Sequence, residues 1–216
     1  MPAYHPGPEL LMDYASGALP EPVSLLVATH VSLCRGCQAE VARLEALGGV
    51  LFDELDGEPL GAGALDRALA RLELPESLEA APAAKPKGDR SLPRPLGDYL
   101  EGDLESLPWK NRGSVAEVEL LSGHSGIRTR LLRIKAGTAL PQHTHEGTEY
   151  TLLLAGGFSD AEAHYQRRGD VAVADTSVDH RPVADAGEDC LCLAVTDAPL
   201  RLTGPVARYF NFLARL

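Results

Sequence analysis

At 216 residues the chain is long enough for one medium domain plus a small one. Its 31 acidic and 20 basic side chains leave a net charge of −11, which argues against direct binding to nucleic acid. No run approaches the ~20 consecutive apolar residues that cross a bilayer, and the start has no basic leader region but carries Glu9 and Asp13, so a cytoplasmic location is expected.

From Pro8 to Leu51 apolar residues recur at steps of three and four, as in Leu10, Leu11 and Tyr14 and then Leu25, Leu26, Thr29 and Leu33. That period predicts short amphipathic helices. Pro8 and Pro22 suit first-turn positions, Gly17 can end the first helix, and Gly48 and Gly49 weaken the third near its end. The acidic, glycine-bearing stretch from Phe52 to Gly63 reads as a loop. A fourth helix is expected from Ala64 to Leu74, with Leu65, Ala68, Leu69 and Leu72 on one stripe and Pro75 stopping it. Few apolar residues nearby can cover that stripe. It is therefore either a partner-binding element or the last member of a small four-helix core.

Within these helices lies His30-x3-Cys34-x2-Cys37, preceded by His5. On a helix, His30 and Cys34 share a face, and Gly36 lets the chain turn so that Cys37 closes in. Two thiolates and two imidazoles make a closed tetrahedral set suited to structural zinc. The competing reading is a redox Cys-x-x-Cys pair beside an unrelated His5, but such a motif should follow a βα pattern that is missing. A reducing cytoplasm favours thiolate ligands over disulfides. A core of about 50 residues is marginal alone, and zinc would supply much of its stability.

Residues 1–80 carry 13 acidic and 4 basic side chains, against 17 and 13 in residues 91–216. An acidic N-terminal part would be drawn to a partner with basic surfaces, although the charge also serves solubility. Pro, Ala and Lys usage marks residues 81–90 as a linker with little capacity for burial. Beyond Tyr99 the pattern turns to β: short apolar or alternating runs begin at Val115, Ile127, Glu149, Asp170 and Cys190, separated by Gly, Pro, Asp or Ser clusters. Such runs suggest a sandwich or barrel. The apolar end, Gly204 to Leu216, reads as a short helix sealing an edge or as a dimer contact.

Among the β runs stands Gly137-x5-His143-x-His145-x3-Glu149-x6-Gly156, followed by Gly169, Asp170 and His180. Residues two apart on a strand point the same way, so His143 and His145 can present both imidazoles to one ion while Glu149 returns on the next turn or strand. This pattern resembles the cupin family. Its first motif is matched at every fixed position and its second at Gly169, Asp170 and His180, with Asp175, Thr176 and Ser177 where the usual Pro-x-Gly stands.

A His-x3-Cys-x2-Cys module fused to such a barrel resembles the ChrR family of bacterial anti-sigma factors. The resemblance implies a multidomain α + β chain: a zinc-bound helical domain over residues 1–80, the linker 81–90, and a cupin jelly-roll barrel over 91–216. It implies zinc at His5, His30, Cys34 and Cys37 and a second ion, with zinc preferred, at His143, His145, Glu149 and His180. It also implies an extracytoplasmic-function-type sigma factor as partner, released on oxidative stress such as singlet oxygen or organic hydroperoxide, and no catalytic residues. The alternative is a metal-dependent, oxygenase-like cupin enzyme with a zinc-stabilised docking module, for which Tyr150, Tyr165 and Arg167 are the available pocket groups. Cys190 and Cys192 share a strand face, either packing in the barrel wall or serving as an oxidation target. His124 and His164 fit neither ligand set and are expected at the surface.

Overall fold

The structure, a computed structural model, describes residues 1–72, 91–121, 126–161 and 163–204. The linker 81–90, His124, the end of the fourth helix and nearly all of the C-terminal segment lie outside the described residues. The helices are α1 (Pro8–Ala15), α2 (Glu21–Leu33), α3 (Arg35–Asp53), α4 (Ala64–Leu72) and the single turn α5 (Arg94–Gly97). Strands follow as β1 (Lys110–Arg112), β2 (Val115–Leu120), β3 (Arg128–Ile134), β4 (His143–His145), β5 (Glu149–Ala155) and β6 (Phe158–Ser159). The chain continues through β7 (His164–Tyr165), β8 (Val171–Ala174), β9 (Asp179–His180), β10 (Val183–Ala184), β11 (Cys190–Thr196) and β12 (Leu200–Leu202).

Helix boundaries follow local chemistry. Pro8 opens α1, and beyond its end Gly17 takes φ +73, a left-handed conformation that favours glycine. The break between α2 and α3 falls at Cys34 itself, whose extended backbone (φ −122, ψ 105) ends one helix and starts the next. Gly36 is not the hinge. It lies in the first turn of α3, and that helix passes through Gly48 and Gly49 without interruption to Asp53. Placing the turn at Cys34 aims its thiol and that of Cys37, three residues on, at the same point.

The strands form an antiparallel sandwich. A six-stranded sheet runs β1-β2-β3-β11-β5-β8, and two three-stranded sheets, β10-β6-β7 and β12-β4-β9, complete the enclosure. Strand β11 shows the principle. Leu191, Leu193 and Val195 join the core shared with the helices, whereas Cys190 packs with Ile134, Leu153, Phe158 and Tyr165 on the barrel side.

Helix α2 lies on the outer face of this sheet, in contact with β5 and β11. Leu26 and Val27 of α2 therefore belong to one buried cluster with Leu131, Leu152 and Leu193 of the sheet. Burial of each such leucine stabilises by about 1.5–3 kcal/mol. Sandwiched between α1, α3 and the sheet, α2 buries seven of its thirteen residues, including Thr29 and His30. Leu92, Leu96 and Leu100 enter the same cluster, so the chain re-joins the helical layer immediately after residue 90, before it starts the barrel. Helix α4 is the exception. None of its residues is buried, and Leu65, Leu69 and Leu72 are 67%, 50% and 81% exposed.

Candidate metal centres

The four ligand candidates near the N-terminus meet. His5, His30, Cys34 and Cys37 each place one ligand atom within 4.8 Å of all the others. His5 arrives from the extended N-terminal segment, His30 from the last turn of α2, and the thiols from the junction and first turn of α3. His5 Nδ1 is 3.5 Å from Cys34 Sγ and 3.6 Å from Cys37 Sγ, and His30 Nε2 is 3.2 Å from Cys37 Sγ. A tetrahedral ion with metal–sulfur bonds near 2.3 Å and metal–nitrogen bonds near 2.05 Å sets its N and S ligands about 3.6 Å apart. The set fits such an ion.

Protonation points the same way. His30 is fully buried, and its Nδ1–H donates to the Gly169 carbonyl at 2.6 Å, which leaves the Nε2 lone pair facing Cys37. Burial lowers the His30 pKa from its ordinary value, so the ring is neutral and able to ligate at neutral pH. Burial and the adjacent Cys34 push the Cys37 thiol up to about 12. A nearby cation is what would let the Cys37 thiol ionise at neutral pH.

The second cluster lies inside the sandwich. His143 of β4 is register partner to His180 of β9, and His145 follows on the same face of β4. His180 Nε2 is 3.2 Å from His143 Nε2 and 3.2 Å from His145 Nε2. Three imidazoles on one tetrahedral ion would stand about 3.3 Å apart. Outer contacts set two of the tautomers: His143 Nδ1–H donates to Pro141 O at 2.8 Å, and His180 Nδ1 is 3.3 Å from Asp160 Oδ2. Burial lowers the pKa of both His143 and His145, keeping them neutral.

Glu149 does not complete the group in this geometry. The close set is His143, His145 and His180; the Glu149 Oε2 atom sits 3.4 Å from the other nitrogen of His145, Nδ1. Both atoms are buried, and neither has a hydrogen-bond partner among the described residues. A buried carboxylate oxygen left without a hydrogen-bond partner beside a histidine triad is the kind of lining that a cation relieves. Glu149 is 14% exposed at its side chain and opens β5, within reach of the same cavity.

That cavity, about 220 Å³, is lined mostly by apolar groups such as Leu132, Ile134 and Phe158, with Arg130, Glu117 and Cys192 on its wall. Of the groups considered for catalysis, Tyr165 lines it, whereas Tyr150 packs in the core shared with the helices and exposed Arg167 reaches the Met1 carbonyl. Cys190 and Cys192 are both buried; Cys192 has its pKa raised well above the ordinary thiol value by contact with Cys190 and by burial. Both pack in the wall, Cys192 as the protonated thiol. His164 is on the surface, 2.8 Å from Asp185. Pro141, Asp160 and the Gly169 carbonyl are outer contacts that the sequence does not reveal. They lie at separations of 2, 20 and 139 residues from the histidines they touch, and a carbonyl has no residue-type signature.

Fold and clusters together define a class: a helical module with a histidine–cysteine cluster that could hold a metal, packed on a cupin sandwich that carries a histidine triad. Residues 100–199 match the family described as the ChrR cupin-like domain. The chain is 41% identical over 198 residues to the anti-sigma-E factor ChrR of Cereibacter sphaeroides, covering 92% of this chain and 91% of that protein. The crystal structure of Rhodobacter sphaeroides SigE in complex with the anti-sigma ChrR matches with a TM-score of 0.78 at 38% identity, covering 91% of this chain and all of that one. An RmlC-like cupin protein from Ralstonia eutropha matches at 23% identity and a TM-score of 0.42, covering 48% of this chain and 71% of that one. The chain belongs to the ChrR family of anti-sigma factors. Membership is in a family of regulators, which sets aside the enzyme alternative.

Proposed function

We propose that the chain sequesters an extracytoplasmic-function-type sigma factor in the cytoplasm and releases it under oxidative stress such as singlet oxygen or organic hydroperoxide. The observation that carries the reading is the similarity across both parts of the chain to a protein seen in complex with a sigma factor. Two surfaces support it. Helix α4 exposes Leu65, Leu69 and Leu72, and the end of α3 exposes Leu51 and Phe52, with Leu55 just beyond. Apolar side chains left out on helices next to an acidic module suit a groove on a basic partner. No helix of the described residues is long and apolar enough to cross a membrane.

The cage of His5, His30, Cys34 and Cys37 is assigned structural zinc, closed by four protein ligands and leaving none open for chemistry. The barrel site is assigned a second zinc through His143, His145 and His180, with Glu149 as the fourth ligand after a side-chain adjustment. A metal bound there would tie α2 and α3 to the N-terminal segment through His30, Cys34, Cys37 and His5. Loss of one thiolate to oxidation removes a large part of a site worth roughly 10–16 kcal/mol in small zinc peptides, enough to loosen the surface that grips the sigma factor. The test is a binding titration of the zinc-loaded full chain with its sigma factor under reducing conditions. One-to-one binding lost in a Cys34→Ser, Cys37→Ser double variant is expected; equal binding by that variant would remove zinc from the mechanism.

A further inference from the structure

A polar node joins the helical module to the barrel, in the loop between β7 and β8. Asp170 is 1% exposed, and its carboxylate accepts four backbone N–H groups. Oδ1 takes those of Ala3 (2.6 Å) and Tyr4 (3.2 Å), and Oδ2 those of Gln166 (3.2 Å) and Arg167 (2.9 Å). Two donors thus belong to the segment that leads into His5, and two to the barrel loop. Alongside, Val171 N–H donates to Tyr4 O at 3.2 Å, and the Tyr4 ring lies 4.6 Å from that of Tyr165.

Gly169 occupies the neighbouring position under two constraints. Its φ is +98, and an added Cβ would stand 2.7 Å from Pro2 and 3.3 Å from Leu33. Its own N–H is tied to Leu153 O of β5 at 2.8 Å, while its carbonyl accepts the proton of His30 Nδ1. The barrel therefore fixes both imidazoles of the N-terminal cage: His30 directly, His5 through the two residues before it. Only the thiols are positioned by the helices alone.

We propose that residues 166–170 of the barrel are the outer shell of the N-terminal metal cage, with Asp170 a positioning residue for His5 and the Gly169 carbonyl the group that orients His30. The helical module on its own would then be a weaker metal site than the same residues in the full chain. The inference rests on the reading of the cage as a metal site. An ionised carboxylate is suited to this node because it only accepts, and all four of its partners donate. Asparagine would turn an N–H₂ group toward two of them. Loss of an outer contact of this kind weakens metal binding by roughly 10- to 100-fold.

The experiment titrates the full chain with cobalt(II) and follows the thiolate-to-cobalt charge-transfer absorption. That band reports the cage, because the barrel triad offers no sulfur, and it should vanish when Cys34 and Cys37 are both changed to Ser. Asp170→Asn is expected to weaken cobalt binding at this band by roughly 10- to 100-fold. Ala3→Pro, which deletes the shortest of the four donors and leaves the barrel untouched, should shift it in the same direction by a smaller factor. Leu131→Ala, buried in the same sheet but contributing no group to the cage or to the hydrogen bonds around it, should lower the melting temperature and leave cobalt affinity unchanged. Affinities within about twofold of wild type for both Asp170→Asn and Ala3→Pro would overturn the proposal, well below the effect of a lost outer contact. An equal loss in Leu131→Ala would reduce Asp170 to a general stability residue and overturn it as well. A wild-type chain without a band would instead refute the cage itself.

Discussion

Metal affinity at the Cys34–Cys37 cage should fall steeply with acidity, and the slope follows from the state of one thiol. Burial and Cys34 push Cys37 up to about 12, so across the neutral range it is protonated in the metal-free protein and must lose that proton to bind. Each unit of pH then changes the apparent affinity by about tenfold through Cys37 alone. Between about pH 7.5 and about pH 6 the loss from this proton is roughly 30-fold. His30 adds little, because burial lowers its pKa and it is already neutral across most of the window. The assay is a series of cobalt(II) titrations of the full chain at several pH values, read at the thiolate charge-transfer band. In Cys37→Ser the slope should drop by about one proton per ion. A wild-type affinity that changes less than about threefold over the interval would mean that the site binds without displacing the Cys37 proton, and the geometry assigned to it would be wrong.

The metal-free protein should also lose stability in acid. His30, His143 and His145 have lowered pKa values in the fold, against about 6.5 when unfolded. Their contribution is present above about pH 6.5 and is lost as the pH falls through the folded values, at up to about 1.4 kcal/mol per pH unit for each histidine; urea melts of chelator-treated protein measure it. Leu193→Ala empties a fully buried position in the core that joins helices to sheet and should cost about 2–5 kcal/mol, with helical and sheet signals melting together; two separate transitions would contradict a shared core. His143→Ala should remove one bound metal ion per chain in elemental analysis while the thiolate–cobalt band of the cage persists. Leu65→Asp with Leu69→Asp, both on the exposed stripe of α4, should weaken sigma-factor binding at least tenfold without lowering the melting temperature.

Much of this architecture is legible in the sequence because period and spacing are local properties. The strands beginning at Val115, Glu149 and Cys190 start where alternation or an apolar run says they should, and β4 carries His143 and His145 on one face as a two-residue spacing requires. The cage spacing likewise contains all four of its members. What is not legible depends on relations between distant residues. Glycine permits turns and so marks Gly36 as the hinge, yet the chain bends at Cys34, where an extended backbone suffices and the tertiary position of the thiol decides. The motif groups Glu149 with the histidines, but its carboxylate faces the far nitrogen of His145, an orientation set by side-chain rotation that spacing does not encode. The docking of α2 on the sheet is also invisible in the sequence. Leu191, Leu193 and Val195 are apolar on the outer face of β11, but a run apolar on both faces reads the same whether the outer cover is a helix of the same chain or a partner.

Sequestration can be tested by mixing the zinc-loaded full chain with its sigma factor and core RNA polymerase in a transcription assay under reducing conditions. One equivalent of the chain is expected to silence transcription from the sigma factor's promoter, and chelation or the Cys34→Ser, Cys37→Ser double variant to restore it. Unimpaired transcription in the presence of excess metal-loaded chain would contradict sequestration.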